Sequence, residues 1–326
     1  FTEKAAKEME ERVDVALPYG YTQMWISTFH SFCDRLLRQE AMHIGLDPGF
    51  RLLTEAQSIL FIRKHLFELE LDYFRPLGNP TKFIDGLLAH FSRLKDEDIS
   101  SQQYLQYAKK IKNNKEEMIK SLELANAYKT YEELKVKEGV MDFADLIANS
   151  LKLFRTRSNV LKEYQKKFQY VLVDEFQDTN YSQNELAILL AGKRKNITVV
   201  GDDDQAIYRW RGAAISNIIQ FRKRFPDVKV ITLTKNYRST SEILDSAYTL
   251  IQHNNPDRLE VREKINKKLL SVRKIKGEPV MFLYRDRVEN EAEAVARKIK
   301  TLLKDMRDYS YKDMAILVRA NDHAEP

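Results

Sequence analysis

Two adjacent carboxylates, Asp174 and Glu175, directly follow an aliphatic run in the sequence. Such a run is typical of a strand buried on both faces of a parallel sheet, and ligands of open α/β sheets bind at the carboxyl ends of these strands. Phosphoryl transfer to water requires a divalent cation and a group that orients the attacking water, and the two carboxylates suit these roles in turn. The alternative is that they only begin a turn, with Asp178 or Thr179 capping a helix at 180–191.

A second aliphatic run, residues 197–200, also ends in polar residues. Gln205 follows it, and an uncharged donor and acceptor at this place could sense a γ-phosphate or its attacking water, or could only bond within a turn. Aromatic and guanidinium side chains then alternate at Tyr208, Trp210 and Arg211. This combination stacks on unpaired bases while neutralising phosphates. The alternative is that the two aromatics belong to a core.

A third run, residues 228–233, leads to Tyr237 and Arg238. Arginine can stabilise charge on a transferred phosphate, and tyrosine can stack on a nucleobase. The alternative is an ordinary loop with a surface salt bridge.

The preceding residues predict elements that position these strand ends. Apolar residues at helical spacing predict a helix over 2–16, and a short apolar run predicts a strand over 24–27. Ser27 or Thr28 would cap the next helix, whose apolar face includes the single cysteine, Cys33. A buried, chemically inert role fits that cysteine better than a nucleophile or metal ligand.

Helical periodicity replaces strand patterns from about Gly45 to Gly139 and predicts a helical insertion. Strands alternating with helices then resume, which predicts a doubly wound parallel sheet. The later segments predict a second α/β domain, with a strand at 279–284, a helix at 288–304 and a strand at 314–318.

Composition restricts the class of protein. The 326 residues suffice for about two domains, and no run approaches the roughly 18 apolar residues of a membrane span. One cysteine and six scattered histidines exclude disulfides and a zinc centre. A net charge of +6 is compatible with a polyanionic partner, and a solvated surface explains it equally well. Because the sequence begins at Phe1 within a motif and stops at Pro326 just after a strand-like run, we expect a fragment of a longer protein.

Taken together and in order, these segments resemble the superfamily 1 helicases of the UvrD/PcrA/Rep type. The matching stretches are Asp-Glu-Phe-Gln-Asp at 174–178 (motif II), 201–212 (motif III), Asn-Tyr-Arg-Ser at 236–239 (motif IV), 1–9 (motif Ia), 27–32 (motif Ib) and 141–147, which leads back into the core.

The resemblance implies an α/β fold with a RecA-like parallel sheet core, a helical insertion called 1B and the first part of a second RecA-like domain. The implied domains are 1–44 (first part of 1A, lacking the Walker A strand and loop), 45–140 (1B), 141–236 (second part of 1A) and 237–326 (start of 2A).

The resemblance also implies a role for each site residue. Asp174 would hold Mg²⁺, Glu175 would activate water, and Gln205 would couple the γ-phosphate to DNA. Arg238 would contact the γ-phosphate of ATP, and Tyr237 would stack on its adenine. The implied DNA contacts are Phe1, Thr28, His30, Tyr208, Trp210 and Arg211.

From this likeness we expect part of a cytoplasmic, ATP- and Mg²⁺-dependent helicase moving 3′ to 5′ on single-stranded DNA in repair or replication. Its partners would be single strands and junctions with duplex DNA, not a membrane. The sequence contains no Gly-x-x-x-x-Gly-Lys-Ser/Thr loop and no motif V or VI, so the fragment alone should neither bind ATP tightly nor unwind DNA. The alternatives are a helicase–nuclease subunit of the RecB or AddA type and a non-catalytic nucleic-acid-binding or scaffold protein.

Overall fold

A computed structural model of the chain describes residues 2–17, 24–207, 216–306, 308–319 and 324. The chain divides into two compact units, Phe1–Val230 and Ile231–Pro326. None of the helices in these described ranges combines the length and apolar character needed to cross a lipid bilayer.

The first unit contains ten α-helices within its described residues. They are α1 (Glu3–Ala16), α2 (Phe29–Glu40), α3 (Glu55–Lys64), α4 (Ile84–Asp96), α5 (Ser101–Lys110), α6 (Lys115–Lys137), α7 (Phe143–Thr156), α8 (Ser158–Lys167), α9 (Tyr181–Ala191) and α10 (Ser216–Arg224). Its strands are β1 (Arg51–Leu52), β2 (Val140–Met141), β3 (Val171–Val173) and β4 (Ile197–Val199).

Strands β3 and β4 form the parallel pair that the sequence predicts, with Val171 opposite Ile197 and Val173 opposite Val199. The expectation that the first of these strands is buried on both faces is wrong. Val173 is buried, but the side chain of Leu172 is 75% exposed. Successive strand residues point to opposite faces, and within the described residues only the Val173 face is covered, chiefly by α9 and α10.

The strand expected at 24–27 has no ladder partner within the described chain. It is held by its side chains instead, because the ring of Trp25 packs edge-on against Phe168 (5.1 Å) and Phe32 (5.8 Å). The helix expected next is α2, and Thr28 rather than Ser27 caps it by accepting a hydrogen bond from the Ser31 amide (3.1 Å). Cys33 is fully buried in that helix, as predicted.

Helices α3 to α6 surround a hydrophobic core separate from the one that packs α2 against α7. Within the helical periodicity predicted from about Gly45 to Gly139, α6 forms a long helix that buries Ala125, Tyr128 and Tyr131. Strands β1 and β2 pair in parallel near the two ends of this helical region, with Arg51 opposite Val140.

The second unit contains β5 (Lys235–Asn236), α11 (Ser241–Ile251), α12 (Leu259–Arg262), β6 (Leu270–Ser271) and α13 (Val288–Asp305). Helix α13 confirms the prediction at 288–304. The strands expected at 228–233, 279–284 and 314–318 form no ladder among the described residues. The parallel pair lies instead between β5 and β6. A strand requires a hydrogen-bonded neighbour, and these three segments have none among the described residues. Apolar side chains within them, such as those of Phe282 and Leu317, are more than 90% exposed.

Candidate functional site

The acidic box at the end of β3 is held by a strained turn. Glu175 has φ 51° and ψ 42°, a left-handed conformation that side chains other than glycine seldom adopt. The next residue, Phe176, is fully buried and packs edge-on against Phe221 (5.4 Å). Because Phe176 anchors the turn, the carboxylates of Asp174 and Glu175 remain exposed at the carboxyl end of the strand, as the sequence predicts.

Gln177 joins the acidic box to the end of β4. Its side chain is almost completely buried. Its amide nitrogen donates to Glu175 Oε2 (2.7 Å), and its Oε1 accepts a hydrogen bond from the Asp202 backbone N–H (3.0 Å). The backbone adds a further link, since the Phe176 N–H donates to the Val200 carbonyl (2.8 Å). Gln177 is not among the site residues that the sequence predicts, although it lies inside the Asp-Glu-Phe-Gln-Asp box.

Gly201 allows the two strand ends to approach closely. A Cβ at this position would lie 2.9 Å from Gln177 Oε1 and 3.2 Å from the Gln177 backbone nitrogen. A β-carbon essentially never approaches an oxygen that closely, so only glycine fits without moving Gln177.

Gln205 ends a short 3₁₀ turn, Asp203–Gln205, just beyond β4. Its amide nitrogen donates to Asp202 Oδ2 (2.9 Å). Ligand oxygens of Asp202, Asp203 and Asp204 lie within 4.8 Å of one another. With the exposed Asp174, they give this edge of the sheet the oxygen donors that Mg²⁺ prefers, so the residues present fit that cation.

The helix after the acidic box, α9, is capped by Asn180. Asn180 Oδ1 accepts from the Gln183 N–H (2.9 Å), and Gln183 Oε1 accepts from the Asn180 N–H (3.1 Å), which completes a capping box. The alternative that Asp178 or Thr179 caps this helix is therefore wrong. Thr179 instead donates its hydroxyl to the Phe176 carbonyl (2.7 Å). Partial burial and the nearby Glu175 carboxylate raise the pKa of Asp178.

Two predicted nucleic-acid contacts, Thr28 and His30, lie at the start of α2. Burial lowers the pKa of His30, which favours the neutral imidazole. The His30 ring contacts the ring of Phe143 edge-on at 5.9 Å, and Phe143 is 49% exposed. Phe143, in the 141–147 segment, is not among the contacts that the sequence predicts. The predicted contacts Phe1, Tyr208, Trp210 and Arg211 lie outside the described residues.

Tyr237 and Arg238 belong to the second unit and directly follow β5. Asn236 Oδ1 accepts hydrogen bonds from the backbone N–H groups of Arg238 (3.0 Å) and Ser239 (2.8 Å), which fixes the turn. Arg273 Nη1 donates to the Arg238 carbonyl (3.0 Å). The side chains of Tyr237 and Arg238 are exposed and available to a ligand.

Paired carboxylates at one parallel strand end, joined through a buried amide to the polar end of the next strand, are typical of α/β proteins that bind phosphates. Residues 1–226 match the family described as "UvrD/REP helicase N-terminal domain", and residues 231–326 match "UvrD-like helicase C-terminal domain". The chain therefore belongs to the UvrD-like helicase family, as the motifs predict. Membership implies a RecA-like α/β fold.

Curated relatives agree with this assignment. The chain is 38% identical over 322 residues to the ATP-dependent DNA helicase PcrA of Bacillus subtilis, covering 98% of this chain and 40% of that protein. PcrA of Staphylococcus epidermidis is 38% identical (98% and 41% covered), and PcrA of Staphylococcus aureus is 36% identical (98% and 41% covered). The chain thus spans about two fifths of the length of these relatives.

Proposed function

We propose that this chain is part of an ATP-dependent DNA helicase that translocates 3′ to 5′ on single-stranded DNA in repair or replication. The observation that carries the proposal is the link through Gln177 between Glu175 and the Asp202 turn. In this arrangement, a displacement of the Glu175 carboxylate in the proposed nucleotide site would be transmitted through Gln177 to the Asp202 turn. That turn leads to the proposed DNA contacts Tyr208 and Trp210. The relatives named above are PcrA helicases, which favours a helicase over a helicase–nuclease subunit or a scaffold.

Each site residue then has a chemical task. Mg²⁺, when bound, neutralises phosphate charge, and Asp174 would hold it. Glu175 would orient the water that attacks the γ-phosphate, while Gln205 would sense that phosphate. Arg238 would stabilise its developing charge, and Tyr237 would stack on the adenine.

Single-stranded DNA and its junctions with duplex DNA are the proposed partners. The described residues of the proposed DNA surface are Thr28, His30 and Phe143. An exposed aromatic edge beside a helix N-terminus, which would offer base stacking and phosphate contact together, supports this part of the proposal. The remaining proposed contacts are Phe1, Tyr208, Trp210 and Arg211.

The proposed domains are 1–44 and 141–236 for the first RecA-like domain, 45–140 for the helical insertion and 237–326 for the start of the second RecA-like domain. The separate core of α3 to α6 supports the insertion. So does the pairing of β1 with β2, which brings the two ends of the insertion together.

The carboxylate role is tested in the full-length protein by replacing Glu175 with Gln. Loss of a group that assists proton transfer should lower DNA-stimulated ATP hydrolysis by about 100-fold or more, with nucleotide binding retained. Glu133→Gln, an exposed change on α6, serves as the control and should leave the rate unchanged. Undiminished hydrolysis by the Glu175 variant would contradict the assigned role.

A separate measurement concerns the 326 residues alone, which we propose do not hydrolyse ATP because they lack the Gly-Lys phosphate loop. They should still bind an oligothymidylate weakly, with affinity falling as salt rises. Absence of binding at low salt would count against the proposed DNA surface.

A further inference from the structure

Two segments meet at the amino-terminal ends of β3 and β4, the opposite strand ends from the acidic box. One is the end of α8 with the residues that follow it, and the other is the turn before β4. Arg194 Nη2 donates to the Phe168 carbonyl (3.5 Å), and Asn196 Nδ2 donates to the Gln169 carbonyl (3.2 Å). The Val171 N–H also donates to the Asn196 carbonyl (2.9 Å). The two segments therefore form one continuous surface.

This surface concentrates positive charge. Its cations, which we call the basic edge, are Lys162, Lys166, Lys167, Lys193, Arg194 and Lys195, and all six are exposed. The only carboxylate within these two segments is Glu163. Six positive charges and one negative charge give these segments a net charge of +5, compared with +6 for the whole chain. The positive and negative charges of the remaining residues therefore nearly cancel.

The cations of the basic edge have no carboxylate partners among the described residues. Four cations between residues 258 and 276 differ in this respect. Arg258 pairs with Glu260 (2.8 Å), Arg262 with Asp257 (2.5 Å), Lys268 with Asp245 (3.3 Å) and Lys276 with Glu242 (3.0 Å). Paired charges largely cancel each other's field. The basic edge keeps its field available to an external polyanion.

Helix stability explains only part of this pattern. Lys166 and Lys167 lie in the last turn of α8, where cations interact favourably with the helix dipole. Lys193 and Arg194 lie in the 3₁₀ turn directly after the carboxyl end of α9 and gain the same interaction, whereas Lys195 lies beyond that turn. Lys195 has φ 55°, a conformation that glycine adopts without cost and that costs other residues about 1 kcal/mol. A lysine at this position therefore adds a positive charge but introduces backbone strain.

We propose that the basic edge binds the phosphate backbone of double-stranded DNA. Duplex DNA carries one charge per roughly 1.7 Å, so several exposed lysines can each neutralise a phosphate without reading sequence. Single strands are bound on platforms of several stacking aromatics. Here the cations of Arg35 and Lys167 lie over the Trp25 ring, 3.8 Å and 4.5 Å from its centroid. Among the described aromatics of the two segments, Tyr170, which is 72% exposed, is left to stack on a base. This surface goes beyond the proposed function, because it lies away from the helicase motifs and requires no nucleotide.

The test uses fluorescence anisotropy to measure how the 326-residue chain binds a labelled duplex of about 20 base pairs, at a series of salt concentrations. A duplex of this length has about two helical turns, at about 3.4 Å per base pair. The variant carries Lys166→Glu, Lys167→Glu and Lys193→Glu. Each lost phosphate contact should reduce the slope of log affinity against log salt by about 0.9, so the slope should fall by roughly 2 to 3. At low salt the affinity should fall at least about tenfold.

The matched control carries Lys109→Glu, Lys110→Glu and Lys112→Glu. It also changes two last-turn lysines and one loop lysine, with the same change in net charge. The control should retain duplex affinity within about twofold and an unchanged slope. Equal weakening by both variants would show a non-specific charge effect and overturn the proposal, as would an unchanged basic-edge variant or a parent chain that binds no duplex at low salt.

A milder variant keeps the test decisive if the triple variant is unstable. Lys193→Gln with Lys195→Gln leaves Lys167 on the Trp25 ring and should reduce the slope by about 1 to 2. Oligothymidylate binding is measured in parallel. Loss of duplex binding with retained single-strand binding supports the basic edge, and the ATP hydrolysis test of Glu175 is independent of both.

Discussion

Lys95 donates from its ammonium group to Asp145 Oδ1 across 2.6 Å in the interior of the first unit, joining α4 to α7. Lys135 on α6 donates to the other oxygen of the same carboxylate at 2.5 Å. Asp142 and Glu132 complete this group, which we call the ionic hub, and both lysine side chains are only 2% exposed. Three helices therefore meet at one set of buried charges.

The hub also begins α7, because Asp142 and Asp145 form its capping box. Burial alone would lower the pKa of Lys135, but the carboxylates of Asp142, Asp145 and Glu132 raise it, so the lysine remains charged. The next residue after the cap is Phe143, the aromatic beside His30. The hub therefore fixes the start of the helix that presents this ring.

Lys135→Met should strongly destabilise the chain. Removing one partner leaves buried carboxylates without their cation, which costs about 3 to 5 kcal/mol in comparable cases. Lys129→Met is the control on the same helix, because Lys129 pairs with Glu133 on the surface and such pairs contribute about 1 kcal/mol or less. Urea unfolding of both variants measures the difference. Equal losses would show that the hub contributes no more than a surface ion pair.

Asp96, the last residue of α4, should make stability depend on pH. Its Oδ1 accepts a hydrogen bond from the Asn180 amide (2.6 Å). Burial raises the pKa of Asp96 to about 7, although Arg93 opposes the shift. The folded state thus binds a proton more tightly than the unfolded state, so this group's contribution is greatest below about pH 4 and declines as pH rises through 7.

Asp96→Asn keeps an oxygen for Asn180 but removes the titration. The free energy of unfolding of this variant, measured relative to the parent, should therefore rise between about pH 4 and pH 7. Asp85→Asn, an exposed change on the same helix, is the control and should leave the difference unchanged. A pH-independent difference for Asp96→Asn would contradict the assigned titration.

Local signals in the sequence were sufficient to predict the acidic box and many helix ends. Asp174 and Glu175 are adjacent to their strand in the chain, and the Thr28 cap acts over three residues. Strand pairing depends on distant segments, so the expected strand at 228–233 forms no ladder in the described structure, whereas Lys235–Asn236 pairs with Leu270–Ser271.

The hub could not be predicted because its members are far apart in sequence. Lys95 and Asp145 are separated by 50 positions. A lysine within a helical pattern is usually exposed, and only the tertiary fold brings its carboxylates to it. Asn180 was missed for a related reason, since Asp178 and Thr179 are equally good capping residues and the choice depends on where the preceding turn ends.

Gly201→Ala should destabilise the chain by about 1 to 3 kcal/mol, because the new methyl group overlaps Gln177 and must push the two strand ends apart. Gly86→Ala provides a control of opposite sign. No atom lies within 4 Å of a Cβ at Gly86, which is inside α4, so alanine there should stabilise by about 0.5 to 1 kcal/mol. The urea midpoints of the two variants measure these effects. An unchanged midpoint for the Gly201 variant would show that Gln177 moves aside at little cost in stability.

Gln177→Leu should uncouple the acidic box from the end of β4 in the full-length protein. Leucine has a similar size but leaves the Asp202 N–H and Glu175 Oε2 without their partner. Losing these two partly buried hydrogen bonds, at about 0.5 to 1.5 kcal/mol each, corresponds to roughly a 5- to 150-fold fall in DNA-stimulated ATP hydrolysis when both serve the reaction.

Gln165→Leu distinguishes coupling from general destabilisation, because Gln165 also donates a partly buried hydrogen bond, to the Leu189 carbonyl (2.7 Å), and lies near the opposite strand ends. Both variants should lose stability, but only Gln177→Leu should lose the stimulation by DNA. A second comparison is Gln177→Glu, which keeps the acceptor for Asp202 but replaces the donor to Glu175 with a charge. If the link to Asp202 carries the coupling, Gln177→Glu retains more stimulation than Gln177→Leu. If orientation of Glu175 is what matters, the glutamate variant is the more impaired, since two carboxylates then repel each other beside the attacking water.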